Sequence, residues 1–193
     1  MLSHAWGHLD SRATRDIDLL AYADNSLDTI ATIVRGICAV DVHNDGLLFN
    51  ESTIKAVRIK ENADYERMRI QLNGQLGSAR IHMQIDVGYG DTILPEAVET
   101  EYPTLFDHPA PAMRAYPPET VIAEEVEAMI SLGALNSRKK DSFDVLRLSQ
   151  QFSFQEEVLC ESLKRTCNNR NTEIIEFAEL LEELTANKNM DKQ

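Results

Sequence analysis

The stretch ARIHMQIDV, residues 79 to 87, decides the fold class of this chain. Its apolar and polar side chains alternate strictly, and the apolar set is Ile81, Met83, Ile85 and Val87. A period of two predicts a strand with one face in the core. Two β-rich runs precede it, at residues 54–59 and 68–72, and because all three are close in sequence we expect neighbours to pair through short connections.

The segment N-terminal to these runs predicts one more strand and one helix. DIDLLAY, residues 16–22, is typical of a strand. NSLDTIATIVRGICAV, residues 25–40, begins with two capping candidates, Asn25 and Ser26, and then carries apolar residues at helical spacing. We therefore expect a strand and then a helix before the three β-rich runs.

The segment C-terminal to the alternating strand changes character twice. Residues 88–118 contain all six prolines, which predicts a long ordered connection with room for an extra strand. Helical patterns follow at residues 119–132, 138–152, 155–167 and 172–184. We therefore divide the chain into an α/β core, residues 1–118, and a helical part, residues 119–193.

Composition excludes some classes of protein. The chain has 193 residues and a net charge of -13, which argues against a broad nucleic-acid-binding surface. It has neither an apolar run of about 20 residues nor a signal-peptide pattern, so we expect a cytoplasmic protein without a membrane span. The three cysteines, Cys38, Cys160 and Cys167, form no C-x-x-C pair and predict free buried thiols, with Cys160 and Cys167 in core packing.

Three aspartates are candidates for a metal centre. Asp16 and Asp18 point to the same side of their predicted strand and lie roughly 6 to 7 Å apart along it. Asp86 lies on the polar face of the alternating strand. Such an oxygen-rich site suits Mg²⁺ or Mn²⁺, with substrate phosphates as remaining ligands, and would serve phosphoryl or nucleotidyl transfer. The alternative is that the D-x-D aspartates are solvated and paired with Arg12 and Arg15.

Four blocks in this order resemble the AbiEii/AbiGii-type nucleotidyltransferase family, the toxins of type IV toxin–antitoxin systems. The blocks are RATRDIDLL (12–20), QIDVGYGD (84–91), YPTLFDHPAPAMRAYPPETVIAE (102–124) and LGALNSRKKDSFDV (132–145). The resemblance covers about residues 5–150. It implies an α/β (α+β) fold of the polymerase-β-like nucleotidyltransferase superfamily, in which a small mixed sheet is flanked by helices, followed here by a helical C-terminal part.

The resemblance also implies roles for individual residues. Asp16 and Asp18 match the family's metal-binding D-x-D, and Asp86 stands where the superfamily often has a third carboxylate. Asp141 matches the aspartate of the family's R-x-K-D segment, with Lys140 beside it and Asp144 one helical turn on. These matches make Asp16, Asp18, Asp86 and Asp141 the expected catalytic residues.

The implied activity is transfer of a nucleoside monophosphate from a nucleoside triphosphate to an acceptor. Transfer RNA is the acceptor for some family members, and a toxin of this type implies a cognate antitoxin protein. Mg²⁺ or Mn²⁺ is the implied cofactor. The expected nucleotide contacts are Arg12, Thr14, Arg15 and Lys140.

Two departures from the family pattern support an alternative. The family's glycine turn, a phosphate-binding helix start, is absent, since the chain begins only fifteen residues before Asp16. Glu125 stands where the family has a lysine, so a carboxylate would repel the triphosphate there. The alternative is a truncated, catalytically inactive relative with a protein-binding role. A metal-dependent nuclease would use the same carboxylates but lacks support from the resemblance.

Overall fold

The computed structural model describes residues 16–40, 42, 46–60, 66–104, 109–132 and 139–174, with backbone alone at 16, 60, 66, 139 and 140. The described residues up to Asp91 form one compact unit, and those from Thr92 form a second. The domain boundary expected at residue 118 stays a prediction, because grouping by contacts does not show which part folds by itself.

The first unit is a four-stranded mixed sheet with one helix. In chain order its elements are β1 (Asp16–Ala21), α1 (Leu27–Cys38), β2 (Leu47–Lys60), β3 (Glu66–Leu76) and β4 (Ala79–Tyr89). The strand order is β1-β4-β3-β2, with β1 parallel to β4 and the other two pairs antiparallel. The predicted α/β class with a small mixed sheet is confirmed, as are the strands and the pairing of sequence neighbours.

Helix α1 begins at a side-chain cap and packs on one face of the sheet. The Thr29 amide donates to Ser26 Oγ at 3.2 Å, which satisfies one of the helix's first N–H groups. Its buried residues Ile30 and Val34 belong to a core cluster with residues of β3 and β4. Ser26 is therefore the cap, and the face of the sheet that packs against α1 is the inner face.

Strand β2 contains an irregularity that makes it longer than the sequence pattern predicted. Four of its residues, 51–54, lie opposite the single residue Leu72 of β3. Asn50 holds this turn, because its Oδ1 accepts from the Ser52 amide at 3.1 Å. Thr53 Oγ1 in turn accepts from the Asn73 amide at 2.9 Å. Local side-chain hydrogen bonds thus replace the missing ladder bonds.

The second unit contains a two-stranded sheet and three helices. Its elements are β5 (Val98–Glu101), β6 (Ala112–Ala115), α2 (Pro118–Leu132), α3 (Lys139–Gln151) and α4 (Glu156–Asn169). The antiparallel pair β5–β6 lies within the proline-rich connection. Proline at the first position of α2 suits a site where no N–H is needed. The helix predicted at residues 172–184 falls mostly outside the described residues, and 172–174 are not helical.

The cysteines differ from the prediction in one respect. All three thiols are free, but only Cys167 is buried, whereas Cys38 is half-buried and Cys160 is exposed. The prediction of core packing is therefore wrong for Cys160. The physical reason is that burial along α4 begins only after Cys160: the buried residues described in this helix are Ser162, Thr166 and Cys167.

None of the helices that the structure describes is both long and apolar enough to cross a membrane. The cytoplasmic location stays a prediction.

Candidate active site

The sheet register brings the predicted metal-binding strand beside the predicted third carboxylate. Asp18 of β1 lies directly opposite Asp86 of β4, and Asp16 lies opposite Gln84. Residues opposite one another on neighbouring strands share a face, and residues two apart on a strand also share it. Asp16, Asp18 and Asp86 therefore lie on one polar face, although the structure describes only the backbone of Asp16.

Asp86 is held by an arginine of the next strand. Arg69 of β3 lies opposite Asp86 in the register. Its Nε donates to Oδ1 at 2.8 Å, and its Nη2 donates to Oδ2 at 2.7 Å. The carboxylate is buried, with 10% of the side chain exposed. Two parallel charge-assisted bonds of this kind fix the plane of the carboxylate as well as its position.

Asp18 is much more exposed than Asp86. Its side chain is 57% exposed, and Arg67 Nη1 lies 3.8 Å from Oδ1. Arg67 belongs to β3 and Asp18 to β1, so this contact crosses β4. Gly88 of β4, two residues beyond Asp86 on the same face, presents no side chain in the way. Only 17% of the Arg67 side chain is exposed, but more than half of the Asp18 side chain is, so Asp18 is accessible to a ligand from solvent.

The opposite face of the same strands is the hydrophobic core. Met68 and Ile70 of β3 and Val87 of β4 are buried between the sheet and α1. The strand alternation therefore places buried apolar neighbours beside Arg69 and Asp86, whereas Leu19, next to Asp18, is exposed. Side chains supported in this way are positioned more precisely than those on loops.

The donor set suits a hard cation. The candidate ligands are carboxylate oxygens, which Mg²⁺ and Mn²⁺ prefer, and no thiol or imidazole is among them. Among the described side chains, no group of three His, Cys, Asp or Glu residues is arranged to hold a metal ion. The Asp16 side chain lies outside that set, so the D-x-D pair itself stays a prediction.

The other predicted site residues lie either in the second unit or outside the residues that the structure describes. Arg12, Thr14 and Arg15 are outside the described residues, and so is the side chain of Lys140. Asp141 lies on α3 in the second unit and is buried, with 1% of its surface exposed. Asp144, one turn further along the same helix, is half-buried. The structure thus brings together three of the four expected catalytic aspartates by backbone position, and places the fourth in the second unit.

Sequence reasoning missed the two arginines of the site. Arg67 and Arg69 alternate with Met68 and Ile70, and the same argument that was applied to β4 would have placed them on the polar face. The signal was therefore present in the period-two pattern of β3. Which carboxylate each arginine would contact depends on the register, and that pattern alone does not supply it.

The fold and the polar face together define a class: a mixed-sheet domain with a carboxylate-rich centre on neighbouring strands. The chain belongs to the AbiEii family, described as nucleotidyl transferase AbiEii toxin of a type IV toxin–antitoxin system, which it matches over residues 1–193. The resemblance inferred from the sequence blocks is confirmed. No curated protein and no solved structure matches the chain.

Proposed function

We propose that this chain is a metal-dependent nucleotidyltransferase that moves a nucleoside monophosphate from a nucleoside triphosphate to an RNA acceptor. The family supports the transferase and toxin class. The observation that carries the proposal is the register of β1 on β4, which sets Asp18 opposite Asp86 with Asp16 two residues away on the same face. Arg69 and Arg67 lie beside two of these carboxylates, but the Asp18 side chain is 57% exposed, so its oxygens can be reached from solvent by a hard cation such as Mg²⁺.

Asp16 and Asp18 are the proposed metal ligands, with Asp86 as the third carboxylate. The exposed side chain of Asp18 can reach a ligand from solvent, whereas Asp86 would share its oxygens with Arg69. A bound Mg²⁺ would neutralise charge on the triphosphate and lower the pKa of an attacking hydroxyl. Asp86, fixed in plane by Arg69, is suited to orient or accept the proton of the acceptor hydroxyl.

The remaining candidates contribute positive charge or position nucleotide. Arg12, Thr14 and Arg15 immediately precede the D-x-D in sequence, so they are proposed phosphate contacts. Lys140 and Asp141, at the start of α3, are proposed to position the nucleotide. The partners are a nucleoside triphosphate, a transfer RNA or other RNA acceptor, and an antitoxin protein, the last because the family consists of toxins of toxin–antitoxin systems.

A transfer assay tests the proposal. The protein is incubated with Mg²⁺, pooled transfer RNA and each of the four α-³²P-labelled nucleoside triphosphates in turn, and label on the RNA is measured. We expect transfer from one nucleotide, and its loss in Asp16→Ala and in Asp18→Ala with unchanged circular dichroism. Asp28→Asn is the matched control, because Asp28 is an exposed aspartate on α1 of the same unit. Transfer that persists in both alanine variants would refute the assignment.

The second candidate function is an inactive family member that binds protein. Glu125 favours it, since this half-buried carboxylate of α2 replaces the family lysine. Absence of transfer from all four nucleotides, together with binding of the cognate antitoxin, is the result that this candidate predicts.

A further inference from the structure

The described part of the polar face carries positive charge as well as negative charge. Arg69 is bound to both oxygens of Asp86, and Arg67 lies near Asp18. The guanidinium of Arg69 is about one-third exposed, so it stands at the surface of the site and is not buried beneath it. Asp86 faces Asp18 across a single strand spacing, about 4.8 Å between backbones. A fixed cation is therefore bonded to the carboxylate that lies opposite Asp18 in the register.

Two effects of Arg69 on that metal ion oppose each other. By holding both oxygens it keeps the Asp86 carboxylate in one orientation beside the D-x-D. By its own charge it repels a second cation at close range. Because the Asp18 side chain is 57% exposed, a metal ion can reach the D-x-D from solvent without displacing Arg69 from Asp86. The repulsion then dominates the net effect.

We propose that Arg69 is a positioning residue that fixes Asp86 and lowers the affinity of the D-x-D site for a free divalent ion. The site would then bind its metal weakly until the negative charge of a triphosphate offsets the arginine. This inference rests on the proposed function, since it assumes that the D-x-D binds a metal.

A titration with Mn²⁺, followed by electron paramagnetic resonance in the absence of nucleotide, tests the inference without any activity assay. We expect Arg69→Gln to bind Mn²⁺ about tenfold more tightly than wild type, because one nearby positive charge is removed. We expect Asp86→Asn to bind more weakly by a similar factor. The double variant R69Q/D86N should return to within about threefold of wild type, because both charges are then absent.

Two further variants separate charge from folding. Arg69→Lys keeps the positive charge but loses the bidentate geometry of the guanidinium, and we expect an Mn²⁺ affinity within about threefold of wild type. Arg80→Gln is the matched control, because Arg80 lies on the same face of β4 about 20 Å from Asp86 along the strand, and its affinity should not change. Should Arg69→Gln fail to fold, the comparison is made between Asp86→Asn and R69Q/D86N, where no buried carboxylate is left without its partner.

The outcomes distinguish this inference from the proposed function. A structural role alone would leave Mn²⁺ affinity unchanged or lower it in Arg69→Gln, so either result overturns the inference. If wild type still binds Mn²⁺ and the Asp18→Ala variant does not, the proposed function stands without this inference. If wild type and every variant fail to bind Mn²⁺, with and without a nucleoside triphosphate, both are overturned.

Discussion

Each of the two compact units contains a buried carboxylate that accepts hydrogen bonds from an arginine. In the first unit two nitrogens of one arginine bind the carboxylate, and in the second unit an arginine and a hydroxyl bind it. The two arginine–carboxylate pairs differ in burial. In the first unit, Asp86 and Arg69 are joined by bonds of 2.7 and 2.8 Å, with side chains 10% and 34% exposed. In the second unit, Glu127 and Arg170 are joined at 2.8 Å, with side chains 2% and 8% exposed. The bond lengths are the same, so the difference lies in access to solvent.

The second unit's pair belongs to a cluster that joins distant parts of the chain. Arg170, just beyond the end of α4, also donates to Glu124 of α2 at 3.0 Å. Thr172 Oγ1 donates to Glu127 Oε1 at 2.5 Å. These bonds connect segments more than forty residues apart around the buried Glu127 carboxylate, which is an architectural role. The comparison teaches that pairs with the same bond length differ in what they leave open to a ligand, because the Arg69 side chain is one-third exposed whereas those of Glu127 and Arg170 are nearly buried.

The largest expected difference is between the labelling rates of two thiols of the second unit, Cys160 and Cys167, which report how accessible the interior of that unit is. Burial, with the nearby Glu127 carboxylate second, raises the pKa of Cys167 to about 11. At pH 8 only about one thousandth of this thiol is thiolate, and the side chain is inaccessible. We expect Ellman's reagent to label the exposed Cys160 at least about a hundredfold faster than Cys167. Fast labelling of two thiols in Cys160→Ser would contradict this account of the second unit.

The next largest effect is expected from breaking the buried pair. Glu127→Ala leaves Arg170 buried with its main partner removed, and we expect a loss of about 3 kcal/mol in the free energy of unfolding. Urea denaturation followed by circular dichroism measures it. Faster labelling of Cys167 in the same variant would show that the opening is local to this unit. A loss below about 1 kcal/mol would mean that the cluster does not hold α2 to α4.

A smaller effect is expected from the equivalent change in the first unit. Asp86→Ala also removes the partner of an arginine, but Arg69 is one-third exposed and can be hydrated. We therefore expect a loss of about 1 kcal/mol, well below that of Glu127→Ala. The same urea titration compares the two variants directly. Equal losses would contradict the view that the difference in burial separates the two pairs.

The smallest effect is expected at a surface pair of the same chemistry. Arg165 Nε donates to Glu161 at 2.8 Å, one turn apart on α4, with both side chains about half exposed. We expect Glu161→Ala to change the free energy of unfolding by only about 0.3 kcal/mol. This variant calibrates the other two, because the bond has the same length as theirs. A loss above 1 kcal/mol would show that bond geometry matters more than burial here.

The elements of the fold were largely predictable, because they depend on local patterns. The alternation at residues 79–87 predicted β4, and Ser26 was one of two candidate caps for α1. The extra length of β2 was not predicted, since the turn at Asn50 breaks the period of two with polar residues that bond to one another. Local hydrogen bonds between polar residues are not marked by any pattern of apolar residues in the sequence.

The candidate site was predictable only in part, because it depends on pairing between distant strands. The polar pattern put Asp86 on the correct face, but its place opposite Asp18 comes from a parallel pair separated by more than sixty residues. The helical pattern at residues 119–132 did not anticipate that Glu127 would be buried. That residue is compatible with the core only through Arg170, and a sequence pattern within one helix carries no information about such a partner.

The measurement that tests the central claim most directly is calorimetric titration of ATP, CTP, GTP and UTP with Mg²⁺ into wild type and into the Asp16→Ala/Asp18→Ala double variant. The account predicts that one nucleotide binds wild type and that this binding disappears in the double variant, with the fold retained by circular dichroism. Failure of all four nucleotides to bind wild type, or equal binding to the double variant, would contradict the assignment of the aspartates on β1 as a metal–nucleotide site.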